Sequence, residues 1–138
     1  MSIAKAHSSN QDPKELELRG ALSRAFWSLA SHYQLTLHEQ AVLLGIKENR
    51  QRLKLLKDMQ ELPDDPDKLL RVSHLVGIHK SLRILFPHNR EVVYKWLKTK
   101  RAQFGDKSAL EFIEEGPEME SLLRLASVRR FLDQARVF

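Results

Sequence analysis

The sequence predicts an all-α protein, and three observations carry that prediction. Apolar residues recur at helical spacing through long stretches. No alternating apolar–polar run of useful strand length occurs. Glycines and prolines are few, five of each, and most fall where those stretches end. Residues 1–14 (MSIAKAHSSNQDPK) are polar and read as a disordered leader. Glu15 to Tyr33 reads as a helix, with Leu16, Leu18, Leu22, Phe26 and Leu29 on one stripe. A short helix spans about Leu37 to Leu44 and stops at Gly45. A third runs from about Lys47 to Leu62 and stops before Pro63.

Pro63-Asp64-Asp65-Pro66 is the clearest boundary. Asp65 can cap the next helix, with Pro66 in its first turn, where a missing N–H costs nothing. That helix continues to Phe86 and carries Leu69, Leu70, Val72, Leu75, Val76, Ile78, Leu82, Ile84 and Leu85, the composition of a central core helix. Asn89 can cap a shorter helix through Val92, Val93, Trp96 and Leu97. A polar stretch, Lys98 to Lys107, follows. Ser108-Ala-Leu-Glu111 has capping-box spacing, in which the two side chains each satisfy a backbone N–H. Gly116 ends that helix. Pro117 is expected to open the last one, through Met119, Leu122, Leu125, Val128, Phe131 and Leu132. The domains expected are residues 15–62, a three-helix unit, and 67–138, a second small helical unit.

Composition narrows the function classes. There is no cysteine, so disulfides, thiol catalysis and cysteine-held zinc are excluded together. No apolar run approaches the ~18–20 residues that cross a bilayer, and the N-terminus lacks an apolar signal core, so a cytoplasmic, membrane-free protein is expected. The formal charge of +5 is uneven: residues 1–66 hold 9 basic against 9 acidic side chains, and residues 67–138 hold 14 against 9. A basic excess suits an acidic partner or nucleic acid, and it is equally at home on an ordinary solvated surface. His74 and His79 are five apart and share no helical face, and no zinc or phosphate-loop motif occurs. No metal, cofactor or catalytic residue is therefore expected, and the protein is read as a non-enzyme.

Residues 36–58 have the layout of a helix-turn-helix. Ala41 is small where two helices must cross, Gly45 sits in the turn, and Ile46 can pin the turn to the core. The helix that follows would present Lys47, Asn49, Arg50, Gln51, Arg52 and Lys54 to phosphates or base edges. Two positions that a standard unit buries hold Gln51 and Lys54, with leucines at Leu53 and Leu56 instead. Either the turn is longer here or the unit no longer reads DNA.

The order of features from Leu69 to Phe138 resembles the toxin-binding domain of the Xre/MbcA/ParS antitoxin family. It consists of the leucine-rich helix LLRVSHLVGIHKSLRILF, a short helix ending in Trp96-Leu97, and a loop with Phe104-Gly105. Ser108-Ala-Leu-Glu-Phe-Ile and a last helix with Val128-Arg-Arg-Phe-Leu-Asp133 complete it. The helix-turn-helix in front extends the likeness to nearly everything after Glu15. This chain has Lys100-Arg101 where many members have Pro-Asn, Ala109 where proline is common, and Arg136 where glycine is common.

The resemblance implies the antitoxin of a type II toxin–antitoxin system, a homodimer whose partner is a RES-domain toxin that consumes NAD or transfers ADP-ribose from it. It implies that the C-terminal region covers the toxin's cleft and that the N-terminal unit binds operator DNA. The toxin-binding residues expected are Lys100, Arg101, Arg129, Arg130, Asp133, Arg136, Val137 and Phe138, with Asp133 or the Phe138 α-carboxylate as a mimic of the NAD pyrophosphate. The alternative is a stand-alone helix-turn-helix transcriptional regulator without a toxin.

Overall fold

Leucine-rich faces with few breaks leave the chain one way to hide its apolar surface, which is to pack helix on helix. The structure, a computed structural model, describes residues 12–137 and is all-helical. Its helices are α1 (Pro13–His32), α2 (Leu37–Leu44), α3 (Arg50–Asp58), α4 (Pro66–Leu85), α5 (Arg90–Lys95), α6 (Ala109–Glu114) and α7 (Ser121–Ala135). Short 3-10 turns at Trp96–Lys98, Ala102–Phe104 and Glu118–Glu120 lie between them. Among the described residues there is no strand, only an isolated bridge from Arg101 to Lys107.

The caps explain most helix starts. The Thr36 hydroxyl accepts from the Glu39 N–H while Glu39 accepts from the Thr36 N–H. Ser108 and Glu111 repeat the device at α6. Asp65 caps α4, and Asn89 caps α5. Where the structure departs from expectation, local chemistry also gives the reason. The first helix starts at Pro13, not Glu15, because the Asp12 carboxylate accepts from the Lys14 N–H and proline suits the first position; the rest of the expected disordered leader, residues 1–11, lies outside the described residues.

The third helix starts at Arg50, not Lys47, because Asn49 takes the cap and accepts from the Arg52 N–H. It ends at Asp58, not Leu62, because residue 62 pairs with α1 instead. The Leu62 N–H donates to the Arg19 carbonyl at 3.1 Å, and Arg19 Nε donates to the Leu62 carbonyl at 2.7 Å. Pro117 does not open the last helix. Its extended backbone precedes the 3-10 turn, and α7 begins at Ser121.

The long α4 is the centre of the core, with Val72, Leu75, Ile78 and Leu82 at 2% exposure or less. The α7 helix runs beside it in the same direction, Ser121 meeting Arg71 and Asp133 meeting Ser81. Four side chains expected in the core are instead exposed: Leu18, Leu70, Ile84 and, at 95%, Met119. Leu70 and Ile84 adjoin half-buried Leu69 and Leu85, so one turn of apolar sequence straddles the edge of the stripe. The apolar cluster is continuous across the Pro63–Pro66 turn, joining Phe26, Leu43 and Leu53 to Leu82, Ile113 and Leu132.

Two polar links also cross that turn. Arg71, 5% exposed, donates from Nε to Asp67 (2.9 Å), from Nη2 to the Ser121 hydroxyl (2.8 Å) and from Nη1 to the Val42 carbonyl (3.5 Å). Burial alone would raise the Asp67 carboxyl, but hydrogen bonds from Lys68 and Arg71 outweigh it and hold the group below its ordinary value. The second link is the 2.9 Å hydrogen bond between the Tyr33 hydroxyl and His79 Nδ1. Tyr94 stacks on His79 and on His32, with interplanar angles of 6° and 13°, so α1, α4 and α5 meet in one pile of rings.

Replacing Leu82 by alanine should remove about 2–5 kcal/mol of stability, the range for truncating a fully buried leucine. Urea unfolding monitored by circular dichroism measures it, and a near-native midpoint would mean that α4 is not the core. A second outcome concerns pH. Burial lowers His79 below its ordinary 6.5, with Arg83 and His32 acting the same way, and burial lowers His74 as well. The unfolded chain therefore binds more protons below about pH 6.5, so the stability that the neutral rings contribute is present above that pH and lost as pH falls through their lowered values. His38, which its carboxylate partners raise, acts in the opposite sense, so the test is the difference between variants. From about pH 7.5 to about 5, acidification should lower the melting temperature of His79→Gln less than that of the parent, and parallel curves would remove His79 as a contributor.

Candidate nucleic-acid and partner interfaces

The α2–α3 pair is built by its termini. Gly45 has φ +68°, and the Ile46 N–H donates back to the Ala41 carbonyl at 3.0 Å, so the chain turns sharply with Ile46 buried beneath it. A side chain at residue 45 would suffer both from that φ and from the Arg71 guanidinium, whose Cζ lies 2.4 Å from where a Cβ would stand. The turn runs from Gly45 to Asn49 before α3 begins. On α3, Leu53 is the buried anchor and Leu56 is half-buried. Lys47, Asn49, Arg50, Gln51, Arg52 and Lys54 are all exposed, so the structure brings the six expected DNA-contact residues onto one short solvent-facing segment. Asn49 is committed in part to its cap, and Lys54 Nζ bonds Asp58 at 3.1 Å.

The C-terminal set divides differently. Arg129, Asp133 and Arg136 form a lock between α7 and α4. Asp133 Oδ1 accepts from the Ser81 hydroxyl at 2.7 Å, and its Oδ2 accepts from Arg129 Nε at 3.4 Å. Arg129 Nη1 reaches the Ser73 carbonyl, and Arg136 Nη1 reaches Ser81. Arg129 lies over Gly77, where a Cβ would stand 2.5 Å from its guanidinium carbon. By contrast Arg130 is exposed, Val137 is 77% exposed, and Phe138 lies outside the described residues.

Lys100 is exposed on the loop before α6, while Arg101 lies with Cζ 4.6 Å from the centroid of the Trp96 ring. Arg101 Nε is buried without a partner among the described residues, and burial lowers the guanidinium from its ordinary value. Phe104 holds this loop against α7, meeting Trp96, Phe112 and Phe131 at centroid distances of 6.0, 5.3 and 5.6 Å. The loop and α7, expected to act together, are therefore neighbours.

Sequence reasoning missed two clusters. Arg71 was hidden as one basic residue in the apolar run from Leu69 to Val72, and that placement was its only signal. His38 bridges two carboxylates, bonding Glu48 through Nδ1 (3.0 Å) and Glu114 through Nε2. The bond to Glu114, and then that to Glu48, raise His38 above its ordinary value. The two ring nitrogens point apart, so the three groups share no metal-holding centre. Among the described residues no group of His, Cys, Asp and Glu is arranged to hold a metal ion, and no helix is long and apolar enough to cross a membrane.

No protein-family model matches the chain. It is 32% identical over 124 residues to uncharacterized protein y4oB of Sinorhizobium fredii (strain NBRC 101917 / NGR234), a match that covers 90% of this chain and 85% of y4oB. With a likeness of that extent, the chain belongs to the family of y4oB.

Proposed function

We propose that this protein is an antitoxin: a non-enzymatic, cytoplasmic binding protein that neutralises a RES-domain toxin by covering its NAD cleft, as a homodimer within the toxin complex. The observation that supports this most is the end of α7. Leu132 is the last buried residue among those described, Arg130 and Val137 are exposed, and Phe104 of the Lys100–Arg101 loop meets Phe131 on the same helix. An exposed arginine and apolar group next to a rigid aromatic cluster are the usual material of an interface anchor. The partner's identity comes from the resemblance to the Xre/MbcA/ParS antitoxins. Asp133 would have to release Ser81 and Arg129 to mimic a pyrophosphate, so the contact is assigned first to Arg130, Val137 and the Lys100–Arg101 loop.

A second reading, a stand-alone helix-turn-helix regulator, is favoured by the exposed polar face of α3. The two are separable, because a lone regulator purifies without a second chain and its operator binding needs no toxin. Under the antitoxin reading, the same face lets the complex bind its own promoter.

Deleting residues 135–138 should leave the protein folded, since Leu132 is the last buried side chain among the described residues. The loss of affinity for the co-expressed toxin should be about a hundredfold or more, the scale of an interface anchor, and cells should no longer be protected. Protection equal to that by the full chain would move the contact off the tail. For DNA, Arg50→Ala and Arg52→Ala should each lower the salt dependence of log K by about one unit of slope. Lys54→Ala should do less, because Lys54 already bonds Asp58. Unchanged slopes in the two arginine variants would mean that α3 is not the DNA-contacting element.

A further inference from the structure

A groove of about 430 Å³ lies between α1 and α3, a size that accepts a small organic molecule. Its floor includes Trp27, Leu35 and Leu53, and its rim includes Arg50, Lys54 and Lys57. Among the described residues no aspartate or glutamate lines it. Lys54 is ion-paired with Asp58, but neither Arg50 nor Lys57 has an ion-pair partner among the described residues. The Trp27 indole Nε1 is buried without an acceptor among the described residues. A basic rim is not a general property of the cavities here, since the one beside His38 carries Glu48, Glu114 and Glu118.

The geometry points to a binding site for a free small-molecule carboxylate with an apolar body. The body would lie along Trp27 and the leucines, where its burial is favourable. The carboxylate would face Arg50 and Lys57, the two uncompensated cations, in a groove whose apolar walls reduce the competition from water. Arg50 and Lys54 also belong to the segment proposed to meet DNA, so an occupied groove lowers DNA affinity. That corollary rests on the DNA reading, whereas the ligand site itself does not.

Anilinonaphthalene sulfonate, an anion with an aromatic body, is the probe, titrated into the full chain without DNA. Saturable binding of one molecule per chain is expected, with energy transfer from tryptophan that is mostly lost in Trp27→Phe. Decanoate should displace the probe and decylamine should not. Combined Arg50→Glu and Lys57→Glu alter only exposed side chains. They should leave the circular dichroism spectrum unchanged and weaken binding about tenfold or more, as should uncharged N-phenylnaphthylamine in place of the anion. Equal binding of the uncharged probe, no displacement by decanoate, or an unaffected charge variant would each overturn the site. So would probe binding that falls as protein concentration rises, which would assign the groove to a second copy of the chain.

Discussion

The buried Arg71 guanidinium is the constraint on which the arrangement of the helices depends. Three donors of one rigid fork reach three different elements: Asp67 on α4, the Val42 carbonyl near the end of α2, and the Ser121 hydroxyl at the start of α7. A charge this deeply buried is costly unless it is fully paired, and replacing such a group by an apolar one of similar volume is often neutral for stability. Its contribution is therefore best understood as positional. It fixes where the α2–α3 turn and the first turn of α7 stand relative to the central helix, which leucine packing alone leaves free to slide.

Much of the fold was legible because it is written in local chemistry. Asp65-Pro66, Thr36 with Glu39, Asn89, and Ser108 with Glu111 each satisfy backbone groups within a few residues, so spacing alone reveals them. The errors arose where two local answers compete or where the partner is distant. Lys47 and Glu48 fit a helix as well as Arg50 does, and only Asn49's preference for the cap decides the start. Leu70, Ile84 and Met119 fit an apolar stripe, but a leucine-rich helix does not declare which edge of the stripe meets solvent. The pairing of Arg19 with Leu62, which shortens α3, spans 43 residues and leaves no trace in either segment.

The candidate interfaces were legible to different degrees for the same reason. The α3 set was readable because its residues are consecutive and a single buried leucine, Leu53, turns the rest outward. The C-terminal set was read as a list of charges on one tail. Its division depends on Ser73, Gly77 and Ser81, small residues of α4 that make room for Arg129, Asp133 and Arg136. Nothing in the tail itself distinguishes the arginines that clasp α4 from Arg130, which does not. Phe104 is half-buried, and its reach to Phe131, which joins loop to helix, is a tertiary contact that no spacing reveals.

The contact between Gly45 and Arg71 also constrains how this family can diverge. With a Cβ at residue 45 only 2.4 Å from the guanidinium carbon, alanine there and arginine at 71 cannot share this backbone. The two positions must change together, and the order of change matters. Shortening residue 71 first opens space, at the cost of a cavity and of its bonds to Asp67, Val42 and Ser121, but it creates no clash. Enlarging residue 45 first meets a side chain that has nowhere to go, because it is buried and tied to three elements. Lineages that lose the glycine should therefore have lost the arginine beforehand, which makes this pair a marker of descent readable in sequences alone.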